Sequence, residues 1–143
     1  MAETTTEPER LVNAYVDVWN ERNYARIPDL VSESFAMYDP AAPGGEVHGR
    51  DGLAEFIRGV VAGFPDFHVT VVDVVSDGGL VMYEGDISMT HEGAFDGIPP
   101  TGRTVEIREM SKFHVADDEV QEHRAYFDQQ EIFEQLGLTD DGD

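Results

Sequence analysis

The sequence predicts an α+β domain, with N-terminal helices packed on one face of a strongly curved, mostly antiparallel sheet. Three observations predict it. Apolar residues recur at helical spacing in separate stretches up to residue 63. After Pro65 the period changes to an alternation rich in Val. Turn signals then follow at hairpin spacing: Asp77-Gly78-Gly79, the Gly97–Gly102 segment and Ala116-Asp-Asp-Glu119. At 143 residues the chain is one domain, long enough to bury a sizeable core, with an ordered body expected over about 6–138.

The first helix is expected over Thr6–Asn23. Thr6 and Glu9 have capping-box spacing, and Pro8 suits a first turn. Leu11, Val12, Tyr15, Val16 and Trp19 form its apolar stripe. A second helix is expected near Tyr24–Ser34, with Ile27, Leu30 and Val31 inward, then a short strand over Phe35–Asp39. Pro40–Gly45 is a loop by composition. The third helix runs from Gly49 to Gly63 on Leu53, Phe56, Ile57, Val60 and Val61, and Gly63 can end it. Strands follow at Phe67–Ser76, Leu80–Thr90, Thr104–Val115 and Val120–Asp128, before a short helical segment at Ile132, Phe133 and Leu136. Residues 1–5 and 139–143 are polar ends expected to fray. Helices laid over a curved sheet leave a blind pocket, a favoured place for a small molecule.

The charge balance narrows the function. Thirty acidic residues face nine basic ones, a net charge of −21. That excludes a duplex nucleic-acid binder working through phosphate neutralisation, and it disfavours an anionic membrane surface. With 41% hydrophobic residues the acidity sits on a folded body, not on a disordered tail. Lys112 is the single Lys, and the depletion of Lys resembles proteins of salt-accumulating microbes. A halophilic, cytoplasmic protein is the expectation. There is no Cys, hence no disulfide, thiol nucleophile or Cys-ligated metal. His48, His68 and His123 form no spaced ligand set, and no apolar run approaches bilayer length. No metal and no cofactor are expected.

The stretch His91-Glu-Gly-Ala-Phe-Asp-Gly-Ile-Pro-Pro-Thr-Gly-Arg103, followed by Glu122-His-Arg-Ala-Tyr-Phe-Asp128 and Glu134-Gln-Leu-Gly137, resembles the SnoaL-like polyketide cyclases. Those proteins belong to the nuclear-transport-factor-2-like (NTF2-like) superfamily. The resemblance also takes in Leu11–Asn20, Gly49-Arg-Asp-Gly52 and Phe64-Pro-Asp-Phe67, and so covers nearly the whole chain. It implies a cone-shaped barrel, with three N-terminal helices enclosing a pocket. It also implies an ester cyclase that closes a ring by intramolecular aldol condensation without a cofactor. The family's pattern Glu-x-Trp-x-x-x-Asp in the final strand puts the catalytic carboxylate at Asp128, and its supporting histidine at His114. Arg124 stands where the pattern has Trp.

In chemical terms, a carboxylate held in an apolar pocket can take a proton from carbon between two carbonyls. Asp128 is the expected base and His114 the donor to the developing alkoxide. The alternative for Asp128 is a cap on the turn that opens at Gln129. Lys112 shares a strand face with His114 and Met110. His91 ends its strand in phase with Met89 and Ile87, either as a buried, satisfied group or as a polar point of the pocket. Tyr15 and Trp19, one helical turn apart, belong to the core stripe or stack on a flat ligand. Asp39 is a turn former before Pro40 or a second pocket carboxylate. Glu109, opposite His114, is expected outside, in a subunit interface.

The leading reading is a cofactor-free acid–base enzyme acting on a small, neutral carbonyl compound. A non-catalytic small-molecule-binding domain is the second. An epoxide hydrolase using Asp39, Arg124 and Asp128 is the third. A homodimer paired through exposed strand faces is expected.

Overall fold

A computed structural model describes residues 5–138; the ends expected to fray lie, Thr5 apart, outside the described residues. Helix α1 spans Glu7–Glu21, and the Thr6 hydroxyl caps it by accepting the Glu9 N–H at 3.2 Å. The expected reach to Asn23 stops short because Arg22 turns left-handed, with φ of 59°. From there the Arg22 guanidinium donates to the carbonyls of Trp19, Asn20, Pro65 and Phe67, lashing the helix end to the segment that leads into the sheet.

The second helix is shorter than its sequence suggests. A single 3₁₀ turn at Tyr24–Arg26 leads into α2, Ile27–Leu30, and Val31 already begins strand β1, Val31–Tyr38. Val31 is β-branched and pairs with Val120 across the sheet, so long-range pairing overrides the local helical spacing. Ser32 accepts the Ser34 N–H, a local bond that competes with helix. Strand β2, Glu46–His48, pairs antiparallel with β1 and is too short to show a period. Helix α3 spans Gly49–Gly63, and strands β3 (His68–Asp77), β4 (Leu80–Thr90), β5 (Thr104–Ala116) and β6 (Glu119–Tyr126) follow. Helix α4, Gln129–Gln135, closes the described chain.

The six strands form one mixed sheet in the order β2-β1-β6-β5-β4-β3. All neighbours are antiparallel except β1 and β6, which run parallel. Two expectations are corrected. The sheet is open, not a closed barrel, since β2 and β3 remain as unpaired edges and three-residue β2 offers little ladder for closure. The helices also do not all precede the sheet: α3 enters after β1 and β2. Register shifts at Val71/Asp73 and His114/Val115 bend the sheet.

Helices α1, α3 and α4 lie over the concave face. That face presents Phe35 and Met37 from β1 and Val81, Tyr83, Ile87 and Met89 from β4. It continues with Val105, Ile107 and Phe113 from β5 and Val120 from β6, all buried. The 91–103 segment folds against the end of α3. Gly93 N–H donates to Gly63 O at 3.0 Å, and a Cβ on Gly93 would sit 2.0 Å from Ala62 O. Only glycine permits this approach, which brings Phe95 over the core beneath it.

Candidate functional site

Between the helices and the concave face lies a cavity of about 90 Å³. Its wall is mostly apolar and aromatic, with Trp19 from α1, Phe56 and Val60 from α3, Phe64, Phe67 and Ile107, and Ile132 and Phe133 from α4. Seven polar side chains interrupt this wall: Tyr15, Asp39, Tyr83, His91, Glu109, His123 and the half-buried Gln129.

Four of the seven, Tyr15, Tyr83, Glu109 and His123, belong to one buried chain of hydrogen bonds, completed by Ser111. Tyr15 Oη lies 2.8 Å from His123 Nδ1, and His123 Nε2 lies 2.9 Å from Ser111 Oγ. The Ser111 hydroxyl donates to Glu109 Oε1 and the Tyr83 hydroxyl to Glu109 Oε2, each at 2.8 Å. With Glu109 as the terminal acceptor the directions follow. Ser111 spends its proton on Glu109, so it accepts from His123 Nε2–H, and His123 Nδ1 accepts from Tyr15. The His123 ring stacks on Phe113 at 4.2 Å between centroids, which holds its orientation.

Burial sets the electrostatics. It pushes the Asp39 carboxyl up from 3.8 to about 6, opposed by the Ala41 N–H and reinforced by the nearby Glu109 charge. The Ala41 N–H donates to Asp39 Oδ1 at 2.7 Å, an Asx turn. Glu109 is also raised by burial, with the Tyr83 and Ser111 hydroxyls pulling the other way. Burial drives His123 down to about 3, so the ring is neutral across the physiological range. The phenols of Tyr15 and Tyr83 are raised, chiefly by burial.

Of the residues singled out from sequence, Tyr15, Trp19, Asp39 and His91 line this cavity. The others lie elsewhere. Asp128 is exposed and accepts the Gln130 and Glu131 N–H groups at 3.0 and 3.3 Å, the capping geometry at the start of α4. His114 is exposed and Lys112 half-buried, on the convex face. Arg124 is also on that face, its guanidinium 4.2 Å from the centre of the Tyr38 ring and its Nε donating to Glu122 at 2.6 Å. The Asp39, Arg124 and Asp128 set of the hydrolase reading is therefore not assembled.

Glu109 reverses expectation: only 4% exposed, it faces the cavity. The signal was present in the alternation of β5. Glu109 and Ser111 fall in phase with Val105, Ile107 and Phe113, the apolar set, whereas Lys112 and His114 fall in phase with Thr104, Glu106 and Arg108. A carboxylate in the apolar phase marks an inward group. His123, weighed from sequence only as a metal ligand, is likewise in phase with inward Ala125.

A sequence model of the SnoaL-like polyketide cyclases matches residues 9–136. The chain belongs to that family. No curated protein matches it in sequence. Among solved structures, a candidate SnoaL-like polyketide cyclase from Jannaschia sp. CCS1 superposes with a TM-score of 0.84 at 20% identity, over 97% of each chain. IdmH, a candidate polyketide cyclase from Streptomyces antibioticus, gives 0.79 at 27% identity, over 92% of this chain and 99% of its own. AclR from Streptomyces galilaeus, a candidate hydroxylase, gives 0.79 at 24% identity, over 96% of this chain and 85% of its own. These SnoaL-like neighbours share the α+β fold with its single curved sheet. Among the described residues, no helix is long and apolar enough to cross a membrane.

Proposed function

We propose that this SnoaL-like chain is a cofactor-independent acid–base enzyme acting on a small, uncharged, largely apolar carbonyl compound. One observation carries the reading: Asp39 is buried in a largely apolar cavity, which pushes its carboxyl up to about 6, and it is held by one backbone N–H on one oxygen. Such a carboxylate is a competent base near neutral pH. It takes the proton from carbon flanked by two carbonyls. The enolate carbon then attacks a second carbonyl of the same molecule, and the alkoxide takes the proton back from Asp39. The cavity wall folds the substrate so that the two carbons meet. The Tyr15–His123–Ser111–Glu109 chain holds its polar atoms rigid without placing a positive charge in the site.

The base is assigned to Asp39 and not Asp128, because Asp128 uses a carboxylate oxygen to cap α4 and is exposed. That same placement favours a second reading, a binding domain in which Asp39 only orients the ligand. The test is deuterium exchange of acetylacetone in concentrated KCl. Exchange faster with the wild type than with Asp39→Asn supports the enzyme; equal rates support the binding domain. We also propose a homodimer paired through the convex sheet face, where Val75, Met82, Met110 and Tyr126 are exposed.

A further inference from the structure

His91 is a polar group of the cavity wall that neither the hydrogen-bonded chain nor the proposed base uses. It is fully buried, and it lines the cavity at the end of β4. The 97–102 turn fixes its ring. Thr101 N–H donates to His91 Nδ1 at 3.2 Å and the Thr101 hydroxyl oxygen lies 3.2 Å from the same nitrogen, while the His91 backbone N–H and carbonyl bind Arg103 O and Gly102 N–H. A backbone N–H can only donate, so Nδ1 carries a lone pair and the ring proton resides on Nε2. Phe64 stacks on the ring at 5.1 Å between centroids and restricts its rotation. Nε2 is buried with no protein partner. A buried N–H without an acceptor is destabilising, because it has lost its water and gained nothing in return. Much of the wall is apolar, and the hydrogen bonds of Glu109 and His123 run within their own chain, while Asp39 accepts from Ala41. The Trp19 indole N–H also lacks a partner of hydrogen-bonding geometry, although it is near enough to the Tyr15 hydroxyl to favour that group's ionised form.

We infer that His91 Nε2–H is the recognition point for an acceptor oxygen of the ligand, so that the cavity selects ketones or esters over hydrocarbons of the same shape. This deepens the proposed function and rests on its assignment of the cavity as the ligand site. It adds a specificity residue separate from the base. Asp39 acts on a C–H; His91 holds a carbonyl oxygen and stabilises charge that builds there as the enolate forms.

The test uses cyclopentanone and methylenecyclopentane, which differ by O against CH₂, with the full chain in concentrated KCl. In ¹⁵N-labelled protein, cyclopentanone is expected to move the His91 Nε2–H proton resonance downfield, and methylenecyclopentane to leave it in place. His91→Phe is expected to weaken cyclopentanone about tenfold, the worth of one hydrogen bond, with little change for the hydrocarbon. His91→Gln, which keeps an acceptor for Thr101 and a donor for the ligand, is expected to restore part of the preference. The inference is overturned if cyclopentanone binds without moving that resonance, if His91→Phe weakens both probes equally, or if neither probe binds. The wild-type resonance decides the matter even where a variant folds poorly. Failure of the catalytic reading is seen separately: Asp39→Asn would then leave acetylacetone exchange unchanged while the His91 resonance still responds to cyclopentanone.

Discussion

Tyr15 and His123 lie 108 positions apart in the chain and share a 2.8 Å hydrogen bond inside the cavity. The bond joins α1 to β6 and occupies the lone pair of His123 Nδ1. Replacing Tyr15 by Phe removes the donor and leaves Nδ1 buried without a partner. The expected cost is about 1–3 kcal/mol of folding stability, read from urea unfolding in concentrated KCl. The ¹⁵N resonance of Nδ1 should remain that of an unprotonated nitrogen, because Nε2 stays bound to Ser111.

Asp39 ties stability and activity to the same titration. Its pKa is raised on folding from 3.8 to about 6, so the folded state binds its proton more tightly than the unfolded chain does. For this group, stability is greatest below about pH 3.8 and is lost as pH rises through about 6. Asp39→Asn abolishes that loss while keeping an oxygen for the Ala41 N–H. The variant should be more stable than wild type by about 3 kcal/mol at pH 8, with the gain vanishing towards pH 4. His123, depressed by burial, has the opposite slope, and comparing the two proteins at each pH cancels it.

Activity should follow the ionised carboxylate. Acetylacetone exchange by the wild type is expected to rise as pH increases through about 6, the Asp39 value, and then to level off. A profile with no inflection there would remove Asp39 from the base role.

Asp128 should report on α4 alone. Asp128→Ala is expected to cost about 1 kcal/mol through loss of the cap, and Asp128→Asn little. Exchange activity per folded molecule should be unchanged in both, measured in the same salt as the stability.

The surface charge predicts a salt requirement. With thirty acidic and nine basic residues, self-repulsion is large in dilute buffer and screened over a few ångströms at molar ionic strength. Circular dichroism should show loss of structure in dilute buffer and recovery in molar KCl. Identical spectra would refute it.

Much of the fold was legible because its elements carry their own periods. The bounds of α3 and β4 follow from the 3.6-residue stripe Leu53–Val61 and from the alternation Val81, Tyr83, Ile87, Met89. Four of the cavity's residues, Tyr15, Trp19, Asp39 and His91, were also visible, as polar or amphipathic groups in or beside apolar stripes. The β1 segment Val31–Ser34 read as helix because its pairing partner lies about ninety residues away, and no local pattern encodes that.

The inward phase of β5 was present in the sequence but ambiguous. A strand displays two faces, and two polar residues, Glu109 and Ser111, break the apolar one. Tertiary structure resolved it by closing Tyr83, Ser111 and His123 around that carboxylate, a burial that is tolerable only when its oxygens are hydrogen-bonded. The sequence by itself determined the class of fold, the family and the acidic surface, because periodicity, motif and composition are local or additive. Only the tertiary structure decided which carboxylates face the cavity, since that depends on sheet phase, on where β6 ends before α4, and on which buried groups find partners.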